Sequence, residues 1–284
     1  MNTMRTIFYD YKANIDLRLP SRERLLKRLG EYDTLAEYTA CAVLDFEANW
    51  TGEGDYSDYV TAKAVQHNVN LKGGVQLDNY MNALYKSFMV NSHAMFTDFI
   101  RQYRNDIKNL INPGFHLAES ASDKSELERL IISLKKEGIE PQWPDWLLQV
   151  INYYRIVRNK VAHNDKDNEE CQEAYNEIDF EQLEKDYPTF SGVPNPNDGI
   201  TIDDFYFYSA CIKHVANYLV MALKGKVDWD HIGNIHSEFT KKWVKGTNPY
   251  ALINRTLCAY NYHPTKEQVR NIIESIKERR ENEN

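Results

Sequence analysis

The sequence predicts an all-α fold. Two observations carry that reading: long stretches place apolar residues three and four apart, and no alternating apolar and polar runs are joined by hairpin turn signals. A third bounds the size, because 284 residues with 42% hydrophobic content can bury a sizeable core.

The first helix is expected over Ser21 to Trp50, where Leu25, Leu26, Leu29, Tyr32, Leu35, Ala36, Tyr38, Ala42 and Phe46 recur at helical spacing. Thr51-Gly52-Glu53-Gly54-Asp55 ends it. A shorter helix follows from Tyr56 to Asn70, ahead of Gly73-Gly74. The clearest pattern runs from Leu77 to Leu110. Met81, Leu84, Tyr85, Phe88, Met95, Phe99 and Tyr103 form its stripe, Ser92 falls within it, and Asn112-Pro113-Gly114 stops it. Asp123 and Glu126 match a capping box ahead of Leu127, Leu130, Ile131 and Leu134, with Gly138 as terminator. Pro144 suits the first turn of a helix reaching about His163. The segment from Asn164 to Asn176 is polar and acidic. With Pro188, Gly192, Pro194, Pro196 and Gly199 it extends into the longest loop-like stretch. A core helix is expected over Phe205 to Leu223, and the charged tail KEQVRNIIESIKERRENEN reads as a fraying C-terminal helix.

Charge and cysteine usage exclude several classes. With 34 basic and 42 acidic side chains the formal charge is −8, so contact with a polyanion must come from a local patch. Candidate clusters are Arg101, Arg104 and Lys108; Arg155, Arg158, Lys160 and Lys166; and Lys241, Lys242 and Lys245. Four scattered cysteines have no neighbouring His at zinc spacing, which argues against a structural metal or a disulfide framework and fits a reducing compartment. The first residues lack the apolar core of a signal peptide, and Lys213, His214 and Asn217 interrupt the most apolar segment. A cytoplasmic protein with no membrane partner is the expectation.

One short stretch, Arg158-Asn159-Lys160-Val161-Ala162-His163, carries candidate chemistry. On a helical wheel Leu147, Val150, Ile151, Tyr154 and Val161 fall within about 100° of one another, and Arg158 lies in the middle of that stripe. A guanidinium there must be paired, must snorkel, or must meet an arriving anion. Asn159 and His163 share a face with Arg155, whereas Arg158 and His163 stand about 140° apart on a regular helix. Either the helix end distorts near Ala162, or a second copy of the chain completes the site. Two bland roles stand beside the chemical one. Arg158 could bond a carboxylate of a neighbouring helix, and His163 could interact with the last carbonyls of its own helix.

The Arg158, Asn159 and His163 pattern, in its helical order over residues 77 to 224, resembles the HEPN superfamily. That resemblance implies a HEPN-like antiparallel helical bundle, here with an N-terminal helical extension over 1–76 and a C-terminal one over 225–284. It implies a metal-independent endoribonuclease without cofactor, acting as a toxin or antiviral effector. The homodimer would pool Arg158, Asn159 and His163 into a composite site, and a separate antitoxin or regulatory protein would restrain it.

Residue chemistry is compatible with the role. Attack of a ribose 2′-OH on the adjacent phosphate needs a base, a cation for the developing charge and an acid for the leaving oxygen. His163 can handle the protons, and Arg158 can hold phosphate oxygens, with Arg155 and Lys160 as further RNA contacts. Tyr153 or Tyr154 could stack on a base, although spacing favours the core for Tyr154. Asp98 and His93 on the long early helix read as a solvated carboxylate and a packed imidazole, the latter able to approach the site. The competing reading is a noncatalytic binding or assembly module. Nucleotide binding is disfavoured, because Gly73-Gly74 lacks the Lys-Ser/Thr of a phosphate loop.

Overall fold

A computed structural model describes residues 17–70, 77–118, 124–163, 168–188, 192–230, 232–235 and 248–283. The fold is all-α: among the described residues there is no strand, and no helix is long and apolar enough to cross a membrane. In chain order the helices are α1 (Pro20–Ala48), α2 (Tyr56–Gln66), α3 (Leu77–Leu110), α4 (Glu126–Lys136), α5 (Asp145–His163), α6 (Glu169–Asn176) and α7 (Phe180–Asp186). After a 3-10 turn at Asn197–Gly199 come α8 (Ile202–Ala222), α9 (Ile232–Ile235), α10 (Pro249–Ala259) and α11 (Lys266–Glu283).

Local chemistry explains most of the ends. Gly52 and Gly54, at φ of 76° and 83°, make the left-handed turn after α1 that a β-carbon would strain. Asp55 then caps α2 by accepting from the Ser57 N–H at 2.8 Å. The capping box of α4 is Ser125 with Glu128, two residues beyond the pair expected from sequence, and Asp123 lies outside the described residues. Both pairs fit the same three-residue rule, so spacing alone did not choose between them. Gly138, at φ 67°, ends α4 as expected, whereas Pro144 sits just before α5 and not within its first turn. Gly73-Gly74, Lys166, Lys241, Lys242 and Lys245 lie outside the described residues.

Helices also occur where a polar loop was expected. The polar stretch before Asn176 contains α6, which buries only Cys171 and Ala174, and α7 buries Leu183. Two buried side chains in eight residues leave too faint a period to read. The C-terminal region, expected to be a helical extension, contains α10, capped by Asn248 with Pro249 at its start.

The chain divides into two compact units. One comprises Met1–Arg28, Ala94–Leu147 and Ile212–Asn284; the other comprises Leu29–His93 and Leu148–Cys211. In the first, Phe99, Tyr103, Leu130, Leu134, Val215 and Leu219 are buried, and the Tyr103 hydroxyl donates to the Leu219 carbonyl at 2.8 Å. Buried Arg22 donates from Nε to Asn217 at 2.8 Å and from Nη1 to Glu23 at 2.7 Å. Close packing of α9 on α11 leaves no room at Gly233, where a β-carbon would lie 2.8 Å from Ile272.

The second unit, which holds the candidate motif, is built around aromatic contacts. Ala36, Phe88 and Phe205 form a buried cluster, with Tyr32, Leu84 and Tyr85 against it, and Tyr32 meets Phe88 edge-on at 5.8 Å. Only part of the α1 stripe behaves as expected. Leu25, Leu29 and Ala36 are buried, but Leu35, Tyr38 and Ala42 are exposed, because their spacing defines a second stripe on the opposite side of the helix.

Candidate functional site

Helix α5 is set into its unit by polar as well as apolar contacts. Val150, Ile151, Tyr153, Tyr154 and Val157 are fully or almost fully buried. The Tyr154 hydroxyl donates to Asp204 at 2.9 Å, and the Tyr153 hydroxyl donates to the Asn195 carbonyl at 2.6 Å. Both rings are therefore core and not stacking platforms, and burial raises both hydroxyls well above the ordinary phenol pKa.

Asp204 anchors this arrangement from the first turn of α8. Its carboxylate accepts from the backbone N–H groups of Asn195 and Thr201, each at 2.8 Å, and from the side chains of Asn195, Thr201 and Tyr154. A buried carboxylate is stable only when its lone pairs are filled in this way. Thr201-x-x-Asp204 has the spacing of a helix-start cap, the one sequence signal that could have found it.

One turn after Tyr154, the stripe reaches Arg158. Its Nη1 donates to Asn159 at 3.0 Å, while its Nε is buried without a hydrogen bond. Among the described residues no carboxylate pairs with Arg158, so the ion pair weighed as its alternative role is not found there. Arg155 is held by Asn152, which accepts from Nε at 3.2 Å and from Nη2 at 2.8 Å. Lys160 faces Glu170 of α6 at 3.6 Å. Of the middle basic cluster, Arg155 and Arg158 thus keep their charge uncompensated by a carboxylate among the described residues. In the other unit Arg101 pairs with Glu126, and Arg104, like Arg158, has a buried Nε without a hydrogen bond.

The structure brings His93 into the environment of these arginines. From α3 its Nδ1 lies 2.5 Å from the Tyr208 hydroxyl, and the two rings stack at 6.3 Å. Tyr208 in turn packs on Tyr154 at 4.9 Å. Burial, with Arg158 and Arg155 adding to it, holds the His93 imidazole down to about 4, so the ring is neutral at physiological pH. Burial also pushes the Tyr208 hydroxyl far up, against the pull of Arg158 and Arg155. The neutral imidazole leaves the guanidinium charges unopposed by a cation. The sequence marked His93 as able to approach the motif, but Tyr208 carried no signal, since it is one of several aromatics in a core helix.

The end of α5 differs. Val161, expected in the core stripe, is 36% exposed, and Ala162 and His163 are exposed as well. The last three residues of α5 are therefore left open to solvent. His163 has no hydrogen bond among the described residues, so it does not cap the helix carbonyls through its side chain. Helical geometry continues to His163, so the distortion that would swing it toward Arg158 is absent from the described residues. The pair stays about 140° apart.

Asp98 on α3 pairs with Arg28 at 2.7 Å and accepts from Gln102, which gives it a structural occupation in the other unit. Compared with protein-family models, curated proteins and solved structures, this chain matches none.

Proposed function

We propose that the chain is a metal-independent endoribonuclease of HEPN type, acting as a homodimer in which two copies of α5 pool Arg158, Asn159 and His163. The observation that carries this reading is the regular helix through His163: an Arg set into the apolar stripe without a carboxylate and an exposed His point to different sides of one α5. Two copies related by a two-fold axis can converge what one copy separates.

In the proposed reaction His163 of one copy removes the 2′-OH proton, and the oxygen attacks the adjacent phosphorus. Arg158 holds the charge that develops on the phosphate oxygens, and His163 of the second copy protonates the departing 5′-oxygen. The products are a 2′,3′-cyclic phosphate and a 5′-hydroxyl end. Asn159 restrains the Arg158 guanidinium, Arg155 and Lys160 track the RNA backbone, and His93 with Tyr208 shapes the buried side of the arginine pair. A role as a toxin or antiviral effector under the control of a separate regulator follows from the resemblance.

Incubation of the full chain with RNA in EDTA, followed by end analysis, tests the reaction. Cyclic phosphate ends from the native chain, absent with His163→Ala, are expected. Mixing native with His163→Ala subunits tests the shared site: each copy must supply one His163, so native–variant dimers are expected to be inactive and cleavage to fall with the square of the native fraction. No cleavage by the native chain at any concentration would remove the proposal. The competing reading, a noncatalytic module, draws on the Arg158–Asn159 bond as a structural one and requires that Arg158→Ala unfold the protein.

A further inference from the structure

The α1–α2 hairpin combines two features that the function above does not use. Six of the nine large apolar side chains left exposed among the described residues fall within 35–69: Leu35, Tyr38, Leu44, Trp50, Val65 and Val69. The same hairpin, residues 29–70, carries eight carboxylates and only one ammonium, Lys63, in a chain whose total charge is −8.

The apolar residues of α1 are ordered. Glu31, Leu35, Tyr38, Ala42 and Asp45 follow one another at spacings of four, three, four and three, and so share a stripe roughly 80° wide. Leu35 is 54% exposed and Tyr38 75% exposed, while the opposite side of the helix packs Tyr32 and Ala36 on Phe88 and Phe205. The helix therefore has one seam used inside the unit and a second, heptad-spaced seam facing solvent. Carboxylates stand at both ends of the seam, Glu31 and Asp45, and Asp45 makes no ion pair among the described residues. The hairpin itself is firmly built, with Phe46 against Tyr59 at 5.2 Å and Trp50 against Tyr56 at 5.0 Å.

We infer that the outer seam of α1, centred on Leu35, Tyr38 and Ala42, docks an amphipathic helix of a basic partner protein. Heptad spacing fits a helix laid along a helix, and the carboxylates select lysines and arginines beside its apolar positions. A second copy of this chain is a poor occupant, because each hairpin would bring the same excess of carboxylates to the contact. RNA is disfavoured for the same reason. Nothing in this inference depends on the nuclease reading.

The probe is a synthetic helical peptide with Leu at heptad positions a and d and Lys at e and g, titrated into the full chain by fluorescence anisotropy. Its Lys→Glu twin is the control. Binding of the basic peptide is expected to weaken about tenfold or more in Leu35→Ser/Tyr38→Ser, and to weaken in Asp45→Lys and with rising salt. Circular dichroism and Tm check that the exposed substitutions leave the fold intact. Equal binding of the two peptides, undiminished binding to the serine variant, or no binding of the basic peptide would overturn the inference. So would a native chain whose dimer, in sedimentation, is abolished by the serine substitutions, because the seam would then belong to a second copy.

Discussion

Arg22 and Arg158 each set a guanidinium against the core of one unit, and they are treated in opposite ways. Arg22 is satisfied at Nε by Asn217 and at Nη1 by Glu23. Arg158 bonds the side chain of the next residue, has a buried Nε without a hydrogen bond, and has a neutral imidazole in its environment. A structural arginine is recognised by partners that repay its desolvation. An arginine held without a carboxylate retains the charge an arriving phosphate can use.

The sharpest way to break this contrast is to remove the structural member. Arg22→Ala leaves Asn217 buried without its donor and removes a packed side chain, and is expected to cost roughly 3 kcal/mol, read from denaturant unfolding. A loss below about 1 kcal/mol would make the two arginines equivalent. Of similar size is Asp204→Ala, which strands the Tyr154 hydroxyl and the Asn195 and Thr201 amides and should cost about 3 kcal/mol. An unchanged unfolding midpoint would show that α5 is positioned by its apolar contacts alone.

The two units should also answer acid with opposite signs at two groups. Burial holds His93 at about 4 against its ordinary 6.5, so its contribution to stability is full above about 6.5 and is lost as the pH falls through 4. Burial pushes Asp106 up to about 6 from its ordinary 3.8, so its contribution is full below about 4 and is lost as the pH rises through 6. His93→Phe should therefore flatten the acid loss by about 3 kcal/mol between pH 7 and 4. Asp106→Asn should remove a dependence of the other sign, and His214, also held at about 4 by burial, remains in both variants as a shared background. Unfolding midpoints across that range check both slopes. The smallest expected effect is at the open end of α5, where His163→Ala should change stability by less than about 0.5 kcal/mol.

How far the sequence reached depends on what each pattern averages. The long helix α3 was found with its own limits, Leu77 and Leu110, because a stripe repeated over many turns outweighs any single residue. The same periodicity misread α1. Leu35, Tyr38 and Ala42 have core spacing and no core to meet, since a seam facing solvent looks identical in one dimension. Helices α6 and α7 were hidden by having so few buried side chains. At the motif, the wheel located Arg158 within the stripe and kept His163 away from it, and the regular helix preserves both. Wheel geometry could not show that Val161 loses its cover in the last turn, nor that Tyr208 would carry His93, because both depend on where other helices end.

The most direct measurement is RNA cleavage and thermal unfolding on the same preparation of Arg158→Ala. A loss of activity of roughly 100-fold or more, with Tm within about 2 °C of the native chain, is the result predicted for an arginine kept for phosphate. Retained cleavage per folded molecule, with Tm lowered as far as in Arg22→Ala, would contradict it.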